Sequence, residues 1–277
     1  MTALTAAPIT EAAQPRARGA VRVSAKRRGT ASVIDDLSMS GSLKCLFPRN
    51  FSDRLDAMLI NTAGGVTGGD RFFLDATAGE GTTMTLTTQA AERAYAARGE
   101  TAGRVETLLT VAAGARMNWL PQETILFNAM NFARRLTVDL APDARFFMVE
   151  PLVLGRIAMG ETLREGRFTD RVMIRREGAP IYVDGVTLAG DVAAQTASAA
   201  TMDGARAMAA LVYAGPEAAR MLDGLRDLMP VAGGASLLSD DLLVARVVAP
   251  DAWALRQVIV PAIKALNDDE IPRPWML

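Results

Sequence analysis

Four carboxylates stand where apolar stretches of this chain break. Asp70 follows Gly68-Gly69, Glu123 follows Pro121 by two residues, Glu150 precedes Pro151, and Glu161 follows Gly160. An acid among strongly apolar neighbours costs free energy unless it is paired or hydrated. Two outcomes are open. Each acid can find its own guanidinium, with Arg93, Arg134, Arg135 and Arg156 as candidates, or several can converge on a polar, water-filled interior. Paired carboxylates also suit acid/base work on glycosides, but nothing in the spacing supports such a pair.

What these acids can do is bounded by what the chain lacks. Its 277 residues include no His and one Cys, Cys45. That excludes Ser-His and Cys-His catalysis, imidazole-built zinc or nickel sites, and any thiolate cage. A metal held by this chain alone meets carboxylates, carbonyls and water, which bind late first-row ions more weakly than imidazole and thiolate do. Such a surface suits passage rather than storage. Cys45 lies in a short apolar cluster, Leu43 to Phe47, and reads as core filling.

The segment Asn61-Thr62-Ala63-Gly64-Gly65-Val66-Thr67-Gly68-Gly69-Asp70 must present the first acid. Gly64, Gly65, Gly68 and Gly69 let the backbone reverse and allow other groups close approach. A tight connection between strands and a turn built to place Asp70 are both consistent with it. It is not a phosphate loop, because no Gly-Lys-Ser/Thr follows. A dinucleotide fingerprint needs a helix next, whereas Phe72-Phe73-Leu74 reads as strand.

The remaining elements are mostly strands. Val21 and Val23 alternate with Arg22 and Ser24 as in a charged edge strand. Thr82–Thr88, Val105–Val111, Leu136–Leu140, Arg145–Val149 and Leu242–Val248 are strand-like, and Phe168–Arg176 with Ile181–Leu188 reads as a hairpin. Gln89–Tyr95 and Met208–Tyr213 fit either helix or strand. Two C-terminal helices are expected, over about Pro216–Met229 and Asp251–Leu266, with Pro261 kinking or limiting the second. The tail around Trp275 is too rich in proline for a helix and too apolar to be idle. No self-similar repeat of solenoid type is visible. The expected organisation is a flexible segment over 1–15 and one β-rich domain over 16–277.

Composition excludes further classes. The 50% hydrophobic and 22% charged content is globular, and a net charge of -1 argues against a general nucleic-acid surface. No apolar run approaches the ~20 residues of a membrane helix, and no secretory signal core is seen, so the cytoplasm is the expected compartment.

Several segments together resemble the urease accessory protein UreD (UreH) family. They are Asn61 to Asp70, Thr87-Thr88-Gln89-Ala90-Ala91-Glu92, Trp119-Leu120-Pro121-Gln122-Glu123-Thr124-Ile125-Leu126-Phe127, and Leu154-Gly155-Arg156 through Gly160-Glu161. Ser40-Gly41, Leu46 to Arg49 and Pro272-Arg273 fit the two ends. The resemblance implies a mainly β fold with a stacked, helical arrangement of sheets and two helices. It implies a non-catalytic chaperone for nickel insertion into urease, acting with UreF, the GTPase UreG and apo-urease. No tightly bound cofactor is implied; nickel would be in transit through an internal tunnel. By position, Asp70, Glu123, Glu150 and Glu161 would line or support that route, with Glu92 a further candidate and Arg156 an acid-pairing residue. The C-terminal helices and the tail near Trp275 would face UreF. The alternative is a structural adaptor that reshapes apo-urease without touching nickel.

Overall fold

The computed structural model describes residues 15–50 and 52–276. The flexible segment expected over 1–15 therefore lies outside the described residues, apart from Pro15. In chain order the strands are β1 (Arg18–Arg28), β2 (Ala31–Gly41), β3 (Leu43–Leu46), β4 (Leu55–Asn61), β5 (Arg71–Ala78), β6 (Thr83–Thr88) and β7 (Glu92–Ala94). There follow β8 (Gly103–Val111), β9 (Arg116–Leu120), β10 (Thr124–Leu126), β11 (Met130–Leu140), β12 (Arg145–Leu154), β13 (Gly166–Arg176) and β14 (Ala179–Ala189). The last are β15 (Ala207–Ala214), β16 (Gly233–Ser239) and β17 (Leu242–Ala249), with helices α1 (Val192–Thr196), α2 (Ala218–Asp227) and α3 (Ala252–Leu266).

Two sheets face one another. Sheet A runs β14-β13-β11-β8-β5-β1-β2, and sheet B runs β16-β17-β15-β12-β9-β6-β4-β3, with β10 and β7 beside β12. From β6 to β13, leaving aside β7 and β10, each strand crosses to the other sheet and pairs in parallel with the strand two before it. The chain therefore coils like a β-solenoid, although no self-similar repeat is legible in its sequence. Each coil needs only an apolar residue at every second position, a requirement many residue types satisfy. In β5, Phe72, Leu74, Ala76 and Ala78 turn inward and are buried, while Phe73, Asp75 and Thr77 turn outward.

Three apolar clusters fill the stack. One lies between the sheets and includes Leu74, Met84, Trp119, Leu136, Met148 and Val172. A second, also between the sheets, includes Leu126, Phe132, Leu152 and Phe168. The third packs the outer face of sheet B, through Phe147, Leu211 and Val247, under Leu225 of α2 and Leu255 and Ile259 of α3. The two long helices stand close to where they were expected. Asp251 caps α3 by accepting from the Ala254 amide at 2.8 Å, and α3 runs unbroken through Pro261.

The structure revises some expectations and decides others left open. β1 is not an edge strand, because β2 covers its free side, and Val21 and Val23 are buried. Gln89–Tyr95 resolves into a bend followed by β7, and Met208–Tyr213 into the buried strand β15. The tail closes in a short 3-10 turn, Arg273–Met276, whose tight geometry tolerates the prolines. A short helix, α1, was not foreseen; its Asp191 cap spans a single turn that periodicity does not detect.

Candidate functional site

A polar layer crosses the stack between the two inter-sheet apolar clusters. On sheet A, Arg134 of β11 stands in register with Asp170 of β13. Leu136 and Val172 lie two residues along on one side, and Phe132 and Phe168 on the other. On sheet B, Glu150 of β12 sits between Met148 and Leu152 in the same way. Arg134 spans the gap. Its Nη2 donates to Asp170 Oδ2 at 2.5 Å and its Nε to Asp170 Oδ1 at 3.1 Å. Its Nη1 reaches Thr124 Oγ1 at 3.2 Å and forms an ion pair with Glu150 Oε2. The Trp119 indole N–H completes the group by donating to Glu150 Oε1 at 2.5 Å.

Space lies on both sides of Arg134 and Glu150, which line two cavities at once. The larger, of about 250 Å³, is walled by Phe72, Val105 and Trp119 and also receives Glu92, Gln122 and Asn61. Gln122 is 6% exposed and its Nε2 has no hydrogen-bond partner. The smaller cavity, about 20 Å³, has room for about one water molecule. At its far end Arg246 of β17 pairs with Asp184 of β14, again linking the sheets.

Burial sets the electrostatics here. Glu150 has its pKa pushed up by desolvation, with Asp170 adding to the rise and Arg134 and the Trp119 indole opposing it. Burial likewise raises Glu92, against hydrogen bonds from Asn61 and the Arg93 amide. Burial works against the charge on Arg134, but Asp170 and Glu150 outweigh it and hold the guanidinium charged.

Of the five acids singled out in the sequence, Glu92 and Glu150 share this cavity. Asp70 lies at the end of the Gly-rich connection between β4 and β5, where its carboxylate accepts from the Ala17 amide at 2.8 Å and the Thr67 amide at 2.9 Å. Glu123 turns to the helical side of sheet B and pairs with Arg256 of α3 at 2.8 Å. Glu161 pairs with Arg156, whose Nε and Nη2 lie 3.0 and 3.1 Å away, and it also accepts from the Arg156 and Asn128 amides. Its carboxyl is held below the ordinary range, chiefly by Arg156. Arg156 also lies over the Phe127 ring, 4.4 Å from its centroid.

The turn glycines have distinct tasks. Gly64 and Gly69 take left-handed backbone, with φ of 79° and 86°. Gly65 and Gly68 give room: a Cβ on Gly65 would lie 2.8 Å from the Arg93 carbonyl oxygen, and one on Gly68 2.8 Å from that of Thr101.

Asp170, Gln122 and Arg256 were not singled out. Asp170 carries a signal in hindsight, as an acid at an inward position of an alternating strand. Gln122 and Arg256 carry none, since their partners are fixed by packing. Among the described residues no group of three or more Cys, Asp or Glu is placed to hold a metal ion, and no helix is long and apolar enough to cross a membrane.

Known sequences resemble this chain along nearly its whole length. The profile of the UreD urease accessory protein family matches residues 17–276. The chain is similar to the urease accessory protein UreD of Ruegeria pomeroyi, at 51% identity over 93% of this chain and 100% of that one. It is 50% identical to that of Roseobacter denitrificans, over 95% of this chain and 96% of the relative. With the Sinorhizobium medicae protein of the same name it shares 45% identity, over 96% and 98%.

Proposed function

The chain belongs to the UreD urease accessory protein family, and on that premise we propose that it is a non-catalytic chaperone for nickel insertion into urease. It works in the cytoplasm in a complex with UreF and the GTPase UreG, and that complex engages apo-urease. The GTP is hydrolysed on UreG, since this chain carries no phosphate loop. Nickel is cargo and not a resident cofactor.

The observation that supports a conduit is the polar layer itself. Two carboxylates, the buried Glu150 and the half-buried Glu92, face a cavity between the sheets, and the layer continues to the Asp184–Arg246 pair. Oxygen donors in pairs, with no imidazole and no nearby thiolate, bind nickel loosely enough to release it. Asp70, Glu123 and Glu161 take supporting parts, shaping the chain around that layer. The adaptor reading draws on the same three residues: each is already committed to backbone amides or to a guanidinium.

Glu92→Gln and Glu150→Gln separate the two readings. Both variants should assemble with UreF, UreG and apo-urease, and the urease recovered should contain less nickel. Normal assembly with normal nickel content would reject the conduit and leave the adaptor.

A further inference from the structure

Helices α2 and α3 cover the outer face of sheet B. The outward residues of β1, β5, β8 and β13 on sheet A are exposed or half-buried. On that bare face the parallel register sets Arg18 of β1, Arg71 of β5 and Arg104 of β8 side by side. All three are exposed, on strands about 4.8 Å apart. Two residues along, Arg135 of β11 stands beside Arg171 of β13, and both are exposed. Like charges facing one another across strands cost stability, and carboxylates brought to the face relieve that cost.

The face itself supplies little of this counter-charge. Among the described residues none of the five guanidiniums forms an ion pair. Asp75 is engaged by Arg22 at 3.7 Å and Asp139 by Arg175 at 2.7 Å. Glu106, in register with Arg135, is the acid these two rows retain. Arg171 donates to the Asp170 carbonyl at 2.8 Å and to Thr187 Oγ1 at 3.1 Å. It lies across Gly185, where a Cβ would come within 2.7 Å of its Nη1. Its guanidinium is thus held in place while its charge meets only neutral acceptors.

Two residues further along, Leu108, Met173 and Val183 share one row across β8, β13 and β14. They are 40%, 39% and 64% exposed. Guanidinium forks bind carboxylates in pairs, and protein interfaces combine arginine with an apolar centre. Phosphate backbones and lipid headgroups are bound through charge and gain nothing from such a strip. A chain of net charge -1 also exerts no long-range pull on a polyanion. Residues 1–14 contain one acid, Glu11, too few to neutralise the band.

We propose that the outer face of sheet A is a docking surface for an acidic, amphipathic segment of a protein partner. Its carboxylates meet the two arginine rows, and its apolar side chains cover Leu108, Met173 and Val183. The proposal concerns assembly and stands whether or not the chain conducts nickel.

The test uses the full chain and two labelled peptides of equal length at physiological ionic strength. One is built of glutamate and leucine as an amphipathic helix; in the other every leucine is replaced by serine. The leucine peptide should bind the wild type at least tenfold more tightly than it binds Arg71→Glu/Arg104→Glu. Arg28→Glu/Arg220→Glu makes the same change of net charge at exposed positions outside the two rows, and should bind within twofold of the wild type. The serine peptide should bind the wild type more weakly than the leucine peptide, and Leu108→Ser/Met173→Ser should remove that difference. Arg71→Glu alone sets a carboxylate between two guanidiniums and should not lower the unfolding temperature, so lost binding is not lost folding. Failure of the wild type to bind the leucine peptide, or equal binding by Arg71→Glu/Arg104→Glu, overturns the proposal. So does tighter binding, lost in that variant, of an oligothymidylate of equal charge or of phosphatidylserine vesicles, which assigns the face to nucleic acid or membrane. Self-association of the wild type that is lost in the same variant assigns the face to a second copy of the chain and overturns it too.

Discussion

Glu123 and Arg256 meet at 2.8 Å across 133 residues of chain. Glu123 follows β9 on sheet B, and Arg256 projects from the first turns of α3. The same guanidinium donates to Gln122 Oε1 at 3.0 Å and to the Trp275 carbonyl at 3.2 Å, and lies 5.1 Å from the Trp275 ring centre. One side chain thus fastens the sheet, the last helix and the tail. Removing one partner of a buried ion pair strands the other charge, at a cost of about 3–5 kcal/mol. Glu123→Ala should therefore lower stability by about that amount in urea unfolding and expose the tail to proteolysis. Glu123→Gln, which keeps a hydrogen-bond acceptor, should cost less. Since Glu123 faces the helices and not the inter-sheet cavity, Glu123→Gln should leave nickel loading of urease close to normal while Glu150→Gln lowers it.

The glycine turn separates conformational need from space. Gly64 has φ of 79° and open surroundings, whereas Gly68 has ordinary backbone but Thr101 and Ala97 atoms in the place of a Cβ. Gly64→Ala should cost about 1 kcal/mol, from left-handed backbone alone. Gly68→Ala should cost about 1–3 kcal/mol, because backbone must move. The two variants compared by thermal unfolding at one pH decide the matter, and equal costs would count against a steric role for Gly68.

Glu92 titrates in the direction that favours its protonated form in the folded chain. Its contribution is therefore fully present below the unfolded carboxyl pKa and is lost as pH rises through the raised folded value. Glu92→Gln should be close to wild type in stability near pH 4 and more stable than wild type at pH 7 to 8. Denaturant midpoints across that range would reveal it. A variant less stable at pH 8 would mean that the hydrogen bonds from Asn61 and the Arg93 amide outweigh the burial.

Cys45 is 2% exposed, and burial pushes its thiol up to about 12. A thiol so buried offers almost no thiolate at neutral pH. An aromatic disulfide reagent should leave it unmodified in the native protein and react with one thiol per chain after unfolding in urea. Rapid labelling of the folded protein would contradict the packing of β3 against β4.

Much was legible before any coordinates. The absence of imidazole and the single thiol excluded most catalytic and metal-storing chemistry without reference to shape, because those functions need particular atoms. Alternation in segments such as Thr82 to Thr88 pointed to strands, and the spacing of Leu255, Ile259 and Ile263 to α3, because burying one face imposes a period on the chain. Asp70, Glu123, Glu150 and Glu161 stood out for a sound reason, since an acid among apolar neighbours has to be satisfied. What satisfies each was decided only in three dimensions. Arg134 meets Asp170 because the parallel register of β11 and β13 aligns them, and meets Glu150 because the coil lays β12 opposite. Glu161 finds its arginine five residues away, whereas Glu123 waits for a helix at the other end of the chain. Residue chemistry is local and can be read along the chain; the pairing of buried charges depends on which strands are stacked, and that is fixed by the packing of the whole core.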